Sequence, residues 1–376
     1  MRKLDTTVRE YHWGSRTALA ELRGEPSPSA VPQAELWIGA HPDDPSRLAG
    51  CDVPLDAYLA ANPAGLLGPD SLAAFGPRLP FLLKVLAVDA PLSLQVHPNR
   101  EQAVVGFAEH GYRDDRPKPE VLVALTEFET LSGFRRPAET VALLDELGLP
   151  SLAPMRAELS VCDTWGALRW ALHAADAALV AEVATATARV PALAHVAALA
   201  EAYPADAGVV AALLLNAVKL RPGQGVYVGA GVLHAHLRGT GVELMANSDN
   251  VLRAGLTTKP VDVHAVLSLA DHESGPAAVL DGEGDGPLRT YRTPEPEFRL
   301  HTVRAGAVLV ADGPQLLLCT KGSVVVSRGG EEVALRGGES AFLPHRADAA
   351  EVSGDGEAFW ATTNLSGPGT SPDRDL

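Results

Sequence analysis

Cysteine is scarce in this chain and is not arranged for chemistry. Only three cysteines occur among 376 residues, Cys51, Cys162 and Cys319. Their number is odd, they lie far apart in the sequence, and no two of them form a C-x-x-C pair. This pattern excludes both a disulfide framework and a thiolate metal site.

Positive charge and long apolar runs are also lacking. Lysine and arginine number 31 against 47 aspartates and glutamates, a formal net charge of −16. No basic stripe is available to follow a phosphodiester backbone, so we expect no nucleic-acid partner. No uncharged run reaches the roughly 18 to 20 residues of a membrane span, and the charged amino terminus has no apolar signal core. We therefore expect a cytoplasmic protein without a membrane segment.

The apolar content of 46% is ample for packed cores, and the sequence texture changes along the chain. Residues 138–218 are rich in alanine and leucine at three- and four-residue spacing, which predicts a helical insertion. Residues 289–364 alternate short strands with turns, which is typical of a small antiparallel barrel. Residues 1–137 and 219–270 are expected to be two parts of one catalytic domain. The predicted fold is therefore mainly β with a helical insertion.

Polar side chains concentrate between residues 221 and 259, a stretch that reads as short strands cut by glycine turns. From its last residues onward, the segment TTKPVDVHAVLSL is expected to return to a helix. His234 and His236 lie two apart on a predicted strand, so they point to the same face. Either histidine alone is more often a hydrogen-bonded barrel residue, and only distant partners can make it a ligand. Further polar side chains of this stretch are Glu243, Asn247, Asp249, Asn250 and Arg253.

Two earlier segments supply such partners. Ser93, Gln95 and His97 project from one face of a short strand that ends at a proline. Glu120 follows Lys118 and Pro119 at the start of a very apolar strand. Proline has no backbone N–H to donate, which is tolerated at the beginning of a strand but not in its middle. A solvated edge would carry more charged residues, so these segments favour the wall of a pocket.

Gln95, His97, Glu120 and His234 can be assembled into one site. Two imidazoles, a carboxylate and an amide oxygen suit a divalent metal such as zinc. Because the amide oxygen is a weak ligand, the set favours an exchangeable, catalytic ion. We expect one zinc ion per chain.

Several motifs of residues 1 to about 270 resemble those of the type I phosphomannose isomerases. In chain order they are YHWGS, AELWIGAHP, QVHP, KPE, LHAHL and ELMANSDNVLRAG. The resemblance implies zinc held by Gln95, His97, Glu120 and His234, and it selects His234 over His236. The expected architecture is two cupin-like, jelly-roll β-barrels plus an α-helical domain.

The resemblance also implies an activity, the interconversion of mannose 6-phosphate and fructose 6-phosphate through an enediol. It matches Arg253 to the family's catalytic arginine, and we expect Lys118 to polarise the same region. Glu243 is our candidate for the base that moves the proton between C1 and C2. Beside the apolar Leu244 and Met245, its carboxylate is expected to have a raised pKa.

The substrate's phosphate must be met by cations and hydroxyls, because the protein as a whole repels it. We expect a small sugar phosphate as ligand and a monomer or weak homo-oligomer as the assembly. The predicted phosphate contacts are Ser93, Lys84, Arg100 and Lys118, and the predicted pocket wall includes Trp13 and Glu35.

Other functions fit the sequence less well. A cupin-type protein that binds sugar without isomerising it could use the same ligands, but Lys118, Glu243 and Arg253 argue against it. A non-haem iron oxygenase would leave two histidines and one carboxylate with open positions, and Gln95 as a fourth ligand counts against that. A bifunctional enzyme with guanylyl transfer is rejected, since the sequence has no glycine-rich nucleotide loop. A purely structural double barrel is the remaining alternative.

Overall fold

The computed structural model describes residues 1–311 and 313–365. Strands take up 32% of the chain and helices 29%, which confirms the prediction of a mainly β fold with a helical component. Among the described residues, no helix has both the length and the apolar character needed to cross a bilayer.

Residues 1–137 form most of an extended antiparallel sheet and the helices around it. The central strand of this part is the apolar run FLLKVLAV, which is buried along its whole length because other elements cover both of its faces. The elements are β1 (Arg2–Asp5), β2 (Thr7–Arg9), α1 (Ala18–Leu22), β3 (Glu35–Ile38), β4 (Arg47–Leu48), β5 (Val53–Pro54), α2 (Leu55–Ala61), α3 (Pro63–Leu67), α4 (Pro69–Phe75), β6 (Phe81–Val88), β7 (Leu94–Val96), α5 (Arg100–Glu109), β8 (Glu120–Ala124) and β9 (Phe128–Phe134).

The predicted helical insertion is present. Aspartates cap two of its helices: Asp163 accepts a hydrogen bond from the Gly166 N–H, and Asp176 accepts one from the Leu179 N–H. The apolar faces of the helices pack onto β7 and β9 in one continuous core. The helices are α6 (Pro137–Leu147), α7 (Ala153–Ser160), α8 (Thr164–Ala174), α9 (Ala177–Thr187), α10 (Ala194–Ala202) and α11 (Gly208–Ala211).

The end of the insertion differs from the prediction. We expected residues up to 218 to be helical, but the chain forms a strand, β10 (Leu215–Leu220), that pairs with β9. The run ALLLNAVKL is nearly all apolar, and such a run carries no periodicity that separates a buried helix from a buried strand. Pairing with β9 decides in favour of the strand.

The longest strand that pairs with β6 is β12 (His234–Ala246), some twenty residues after the insertion. Both strands belong to the 11-stranded sheet, which we call the β6 sheet. The first residues of β12 pair with β7 and β9, and its later residues pair with both β6 and β8. We expected a short strand here, yet it continues through Gly239, where a Cβ would lie 2.5 Å from the Glu127 carbonyl oxygen. The elements are β11 (Gly225–Val228), β12 (His234–Ala246), β13 (Leu252–Gly255), α12 (Val263–Leu269) and β14 (Val279–Leu280).

The C-terminal strands form two sheets that face each other. The larger sheet also contains β1, β4 and β5 from the amino terminus, with β1 antiparallel to β21. The sequence did not predict that strands from the amino terminus would join the C-terminal sheet. The division into residues 1–137, 138–218, 219–270 and 289–364 stays a prediction. The strands are β15 (Leu288–Tyr291), β16 (Arg299–Arg304), β17 (Val308–Leu309), β18 (Gln315–Lys321), β19 (Ser323–Arg328), β20 (Glu331–Arg336), β21 (Ser340–Leu343), β22 (Ala350–Gly354) and β23 (Glu357–Thr362).

A shared hydrophobic core joins the β6 sheet to the larger C-terminal sheet. It includes Leu36 and Val242 from the β6 sheet and Leu300 and Phe359 from the C-terminal sheet, all at most 1% exposed. Burying this much apolar surface between the sheets fixes their relative position. The strands of the β6 sheet are therefore held in place by their packing against the C-terminal sheet.

His195 in α10 predicts a pH dependence of stability. Burial, reinforced by the charge of Arg135, lowers its pKa to about 4. The unfolded chain therefore takes up a proton near pH 6.5 that the folded chain refuses, so stability falls as pH drops below this value. Between about pH 7 and pH 5 this group alone should cost on the order of 2 kcal/mol.

Urea unfolding at several pH values measures this effect. His195→Ala should lose less stability than the wild type over that interval, whereas His173→Ala, an exposed neighbour in the same insertion, should follow the wild type. Parallel pH profiles for the wild type and His195→Ala would contradict the assignment.

Candidate active site

The largest concentration of polar side chains lines a cavity of about 680 Å³ beside β12. Strands β3, β6, β7, β12 and β13 each contribute side chains to it. Ten of the predicted site residues line this cavity: Trp13, Glu35, Lys84, Ser93, Gln95, Lys118, Glu120, His234, Glu243 and Arg253.

Three of the four predicted metal ligands converge at the cavity floor. His97 Nε2 lies 3.3 Å from Glu120 Oε1, and His234 Nε2 lies 3.6 Å from Glu120 Oε2. The two imidazole rings are 4.9 Å apart between centroids. All three side chains are buried, and their ligand atoms are close enough to share one ion.

Backbone carbonyl groups orient both imidazoles. His97 Nδ1–H donates to the carbonyl oxygen of Asn250 at 3.0 Å, and His234 Nδ1–H donates to that of Val232 at 2.9 Å. This tautomer leaves a lone pair on each Nε2, as a metal ligand requires. Within the described residues, His97 Nε2 is buried and has no hydrogen-bond partner. Burial also lowers the pKa of His97 to about 4, so its ring stays neutral. The donor set fits a divalent ion such as zinc.

Gln95 occupies the middle of a cross-strand row. It is paired with His234 of β12 on one side and with Arg253 of β13 on the other. Its amide nitrogen donates to Ser93 Oγ at 3.0 Å, so its oxygen is left for another partner. Neighbouring strands lie about 4.8 Å apart, so Arg253 and His234 are two strand spacings apart, with Gln95 between them.

The charge of Glu120 is compensated locally. Its carboxylate forms an ion pair with Lys118. Burial opposes ionisation of this carboxyl, but the positive charge of Lys118, together with the neighbouring His97 and His234 rings, outweighs it and holds the pKa well below the usual range. Glu120 is therefore an anion, the form that binds metal.

A second buried charge cluster surrounds Glu243. Lys84 Nζ lies 3.7 Å from Glu243 Oε2 and 3.7 Å from Glu35 Oε2, and it also sits 4.9 Å from the ring centroid of Trp37. His236 Nε2 lies 3.6 Å from Glu243 Oε1. His236, which the sequence left open, thus lies beside Glu243, whereas His234 lies beside His97 and Glu120.

This cluster corrects our expectation for the pKa of Glu243. Burial and the negative charge of Glu120 act to raise it, as we expected from the apolar neighbours. His236 and Lys84 act in the opposite direction and prevail, so the pKa of Glu243 is lowered. The carboxylate is ionised and can accept a proton.

The cations of the cavity fall into two groups. Lys84 and Lys118 face carboxylates, and so do Arg9 and Arg113, which pair with Asp44 and with Asp43 and Asp249. In the part of the chain that the structure describes, Arg253 and Lys259 line the cavity without a carboxylate partner.

Sequence reasoning missed several lining residues. We assigned residues 257–259 to the approach of a helix, but α12 begins only at Val263, and these residues line the cavity instead. The polar sequence TTK before a proline was the available signal. His41 was also missed; its Nε2 lies 3.3 Å from Asp249 Oδ1 at the cavity wall.

The structure corrects the expectation for Arg100. This residue begins α5 and forms an ion pair with Glu297, which precedes β16. It does not line the cavity. The chain turns away after His97 to start the helix, which Asn99 caps, so closeness to QVHP in sequence does not bring Arg100 to the substrate.

A mainly β, cupin-like fold with two histidines and a carboxylate converging in a charged cavity defines a metal-dependent enzyme site. Residues 1–137 match the family described as phosphomannose isomerase type I, catalytic domain. Mannose-6-phosphate isomerase of Escherichia coli (strain K12) is 35% identical, with 95% of this chain and 98% of that protein aligned. Mannose-6-phosphate isomerase 1 of Arabidopsis thaliana is 33% identical over 92% of this chain and 89% of its own length.

Solved structures agree with these relatives. A crystal structure of a variant of phosphomannose isomerase from Salmonella typhimurium superposes with a TM-score of 0.91 and 32% identity, covering 97% of this chain and all of that one. Another, of mannose 6-phosphate isomerase bound with zinc and yttrium, gives a TM-score of 0.90. The chain belongs to the type I phosphomannose isomerase family, which confirms the resemblance read from the sequence.

Proposed function

We propose that this chain interconverts mannose 6-phosphate and fructose 6-phosphate in the cavity beside β12, through an enediol. The observation that carries the proposal is the convergence of His97, Glu120 and His234 in a member of this family, with His97 Nε2 buried and without a hydrogen-bond partner among the described residues. A sugar-binding protein without catalysis is disfavoured, because the charged groups that the isomerisation needs line the same cavity.

One zinc ion per chain is the proposed cofactor, held by Gln95, His97, Glu120 and His234. When bound, zinc supplies positive charge that stabilises the negative charge developing on the sugar oxygens. The orientation of both imidazoles and the ionised state of Glu120 support this ligand set. Gln95 is included because its strand register places it directly beside His234, and because its amide nitrogen, not its oxygen, donates to Ser93.

Glu243 is the proposed base. The reaction removes a proton from C2 of the aldose and returns it to C1. A hydroxyl proton passes from O2 to O1 in the same sense, so the C2 hydroxyl becomes the ketone and the C1 aldehyde becomes a hydroxyl. An ionised carboxylate held by Lys84 and His236 can accept the carbon-bound proton and then give it back. Glu35 and Trp37 hold Lys84 from its other side, so the base keeps its position and charge.

Lys118 and Arg253 are proposed to stabilise the enediol oxygens. Both lie next to the metal cluster: Lys118 pairs with Glu120, and Arg253 is one strand from Gln95. Fixed cations that face a developing oxyanion lower the barrier because they need no reorganisation during the reaction. Trp13 is proposed to close the cavity wall.

The phosphate is proposed to bind toward Lys259, with Arg253 between it and the metal cluster. A dianion prefers cations that are not already neutralised, and these two have no carboxylate partner among the described residues. Hydroxyls of Ser93, Thr257 and Thr258 line the same cavity. Lys84, which we predicted as a phosphate contact, is instead engaged by two carboxylates.

Lys259→Gln tests this placement. We expect the KM for mannose 6-phosphate to rise about tenfold, as for the loss of one charge-assisted hydrogen bond, with little change in kcat. Activity on unphosphorylated mannose, measured at high concentration, should not change. Lys219→Gln, which removes an exposed lysine paired with Glu129, is the matched control. A KM for mannose 6-phosphate equal to that of this control would contradict the placement.

The activity itself is tested by coupling fructose 6-phosphate formation to NADPH production. Purified enzyme should convert mannose 6-phosphate in a concentration-dependent, saturable manner. No turnover after incubation with zinc would overturn the proposal and favour sugar binding. The predicted cytoplasmic location, the absence of a nucleic-acid partner and the monomeric or weakly associated state stay predictions.

A further inference from the structure

A second cavity, which we call the C-terminal cavity, opens between the C-terminal sheets. Its volume is about 260 Å³. Among the described residues, none lines both this cavity and the one beside β12, and the proposed isomerisation uses none of its side chains. The lining residues that matter here are Arg299, His301, Val308, Val310, Trp360 and Thr362.

His301 is held rigidly at the inner end of this cavity. It is paired with Trp360 across β16 and β23, and the two rings stack with centroids 4.5 Å apart at 24°. Its Nδ1 shares a hydrogen bond of 2.8 Å with Thr290 Oγ1. Its Nε2 is buried and has no hydrogen-bond partner within residues 1–311 and 313–365. The side chain is only 5% exposed. A buried ring nitrogen without a partner is costly, so a ligand atom there would relieve a defect.

Arg299 adds positive charge beside this histidine. It lies two residues earlier on β16, on the same face of the strand. Its Nε donates to the Asn364 side-chain oxygen at 2.8 Å, and no carboxylate pairs with it in the described part of the chain. Arg299 is thus half-buried and has no carboxylate partner among the described residues, although acidic residues outnumber basic ones in this chain of net charge −16. Such a group is available to an anion.

The rest of the lining is suited to a small organic molecule. Trp360 offers a flat apolar wall, and its own N–H is already satisfied by Gln315. Val308 and Val310 at the rim are 53% and 67% exposed. The lining thus combines polar groups with a smaller apolar wall, and fixed polar groups are what orient a small molecule in ligand sites at the mouths of β-barrels.

We propose that the C-terminal cavity binds a small hydroxylated organic anion. The anionic group would pair with Arg299, and a hydroxyl would bind His301 Nε2. A hydroxyl both donates and accepts, so it suits either tautomer that Thr290 imposes on the ring. The volume lies below the about 300 to 1,000 Å³ of most drug-sized sites, which limits the ligand to a few carbons. A short sugar phosphate and a hydroxy acid share this chemistry.

Isothermal titration with glycerol 3-phosphate and with glycerate tests the proposal on the zinc-loaded enzyme. At least one probe should bind saturably, and the tighter one identifies phosphate or carboxylate as the preferred anion. Arg299→Gln and His301→Phe should each weaken binding about tenfold or more, the loss expected for one hydrogen bond to a charged or buried group. Isomerase activity and the thermal melting temperature of Arg299→Gln should match the wild type.

Two control variants show whether binding takes place in the C-terminal cavity rather than elsewhere on the protein. Arg304→Gln removes the same charge from the same strand, but Arg304 is exposed and pairs with Glu357, so binding should be unchanged. Arg253→Gln should also leave this binding unchanged, because Arg253 lines the cavity beside β12. The proposal is overturned if neither probe binds, if Arg299→Gln binds as tightly as the wild type, or if Arg253→Gln alone abolishes binding.

Discussion

Replacing His97 with alanine is expected to remove zinc from the enzyme and to lower kcat by about 10³-fold or more. The reason is structural: His97 is fully buried, its Nδ1 is fixed by the Asn250 carbonyl group, and its Nε2 has Glu120 as its nearest charged neighbour. No other side chain can take this place without rebuilding the floor of the cavity. Metal content by atomic absorption and the coupled assay measure the two effects together.

Chelation of the wild type should reproduce the loss, and zinc should restore the activity of the wild type but not of His97→Ala. His195→Ala is the matched control, since it truncates a histidine whose Nε2 is also buried without a hydrogen-bond partner among the described residues but which does not line the cavity. His97→Leu, which keeps most of the volume but has no atom that can bind a metal, separates loss of the ligand from loss of packing. If His97→Ala were to retain zinc and full turnover with a normal melting temperature, the ligand assignment would be wrong.

Replacing Glu243 with glutamine is expected to lower kcat by about 10²–10⁴-fold, the usual contribution of a positioned base. The substitution keeps the shape of the side chain but removes its capacity to accept a proton. Because Glu243 is not among the proposed zinc ligands, metal content should stay at the wild-type level. The KM for mannose 6-phosphate should change little, since the proposed phosphate contacts lie elsewhere in the cavity.

A second readout distinguishes a base from a residue that only holds Lys84 in place. In deuterated water, wild-type enzyme should exchange the C2 hydrogen of mannose 6-phosphate with solvent, and Glu243→Gln should suppress the exchange as strongly as it suppresses turnover. Glu35→Gln removes the other carboxylate that contacts Lys84 and is the matched control, with a smaller loss expected. Equal losses in the two variants would mean that both act through Lys84, and the base would have to be sought elsewhere.

The lowered pKa of Glu243 predicts how the isomerase activity depends on pH on the acid side of its profile. A base acts in its ionised form, so turnover is lost as pH falls through the pKa of the group. Because His236 and Lys84 lower that pKa despite burial, Glu243 should not limit kcat near neutral pH. A raised pKa, as the sequence suggested, would have moved the limb toward neutrality.

Much of the site could be predicted from sequence because its residues occupy strand positions with strict period-two geometry. Gln95 and His97 could be placed on one face without any structure, and Glu120 could be placed at a strand start by the proline before it. The motif resemblance then supplied the partner from β12. The structure brings His97, Glu120 and His234 close together and places Glu35 and Lys84 beside Glu243, where the sequence had indicated only a pocket wall and a phosphate contact.

The failures occurred where local pattern carries no long-range information. Arg100 is three residues from His97, yet a capped helix starts between them and carries it to Glu297. Residues 257–259 were assigned by their proximity to a helix, but they reach the cavity because β13 ends beside it. The apolar run that ends in β10 was wrongly assigned to a helix, because only its pairing with β9 identifies it as a strand.

By itself, the sequence determined the class of fold, the family, and the residue types that can bind a divalent metal, because composition, strand periodicity and motif order are local properties of the chain. Only the tertiary structure decided which cations stay available to the substrate's phosphate, since that depends on which carboxylates fold next to them. Lys84 and Lys118 each pair with a carboxylate beside the proposed sugar end of the cavity, whereas Arg253 and Lys259 have no carboxylate partner among the described residues. The ionisation of Glu243 was decided in the same way, by neighbours from other strands that outweigh its own burial.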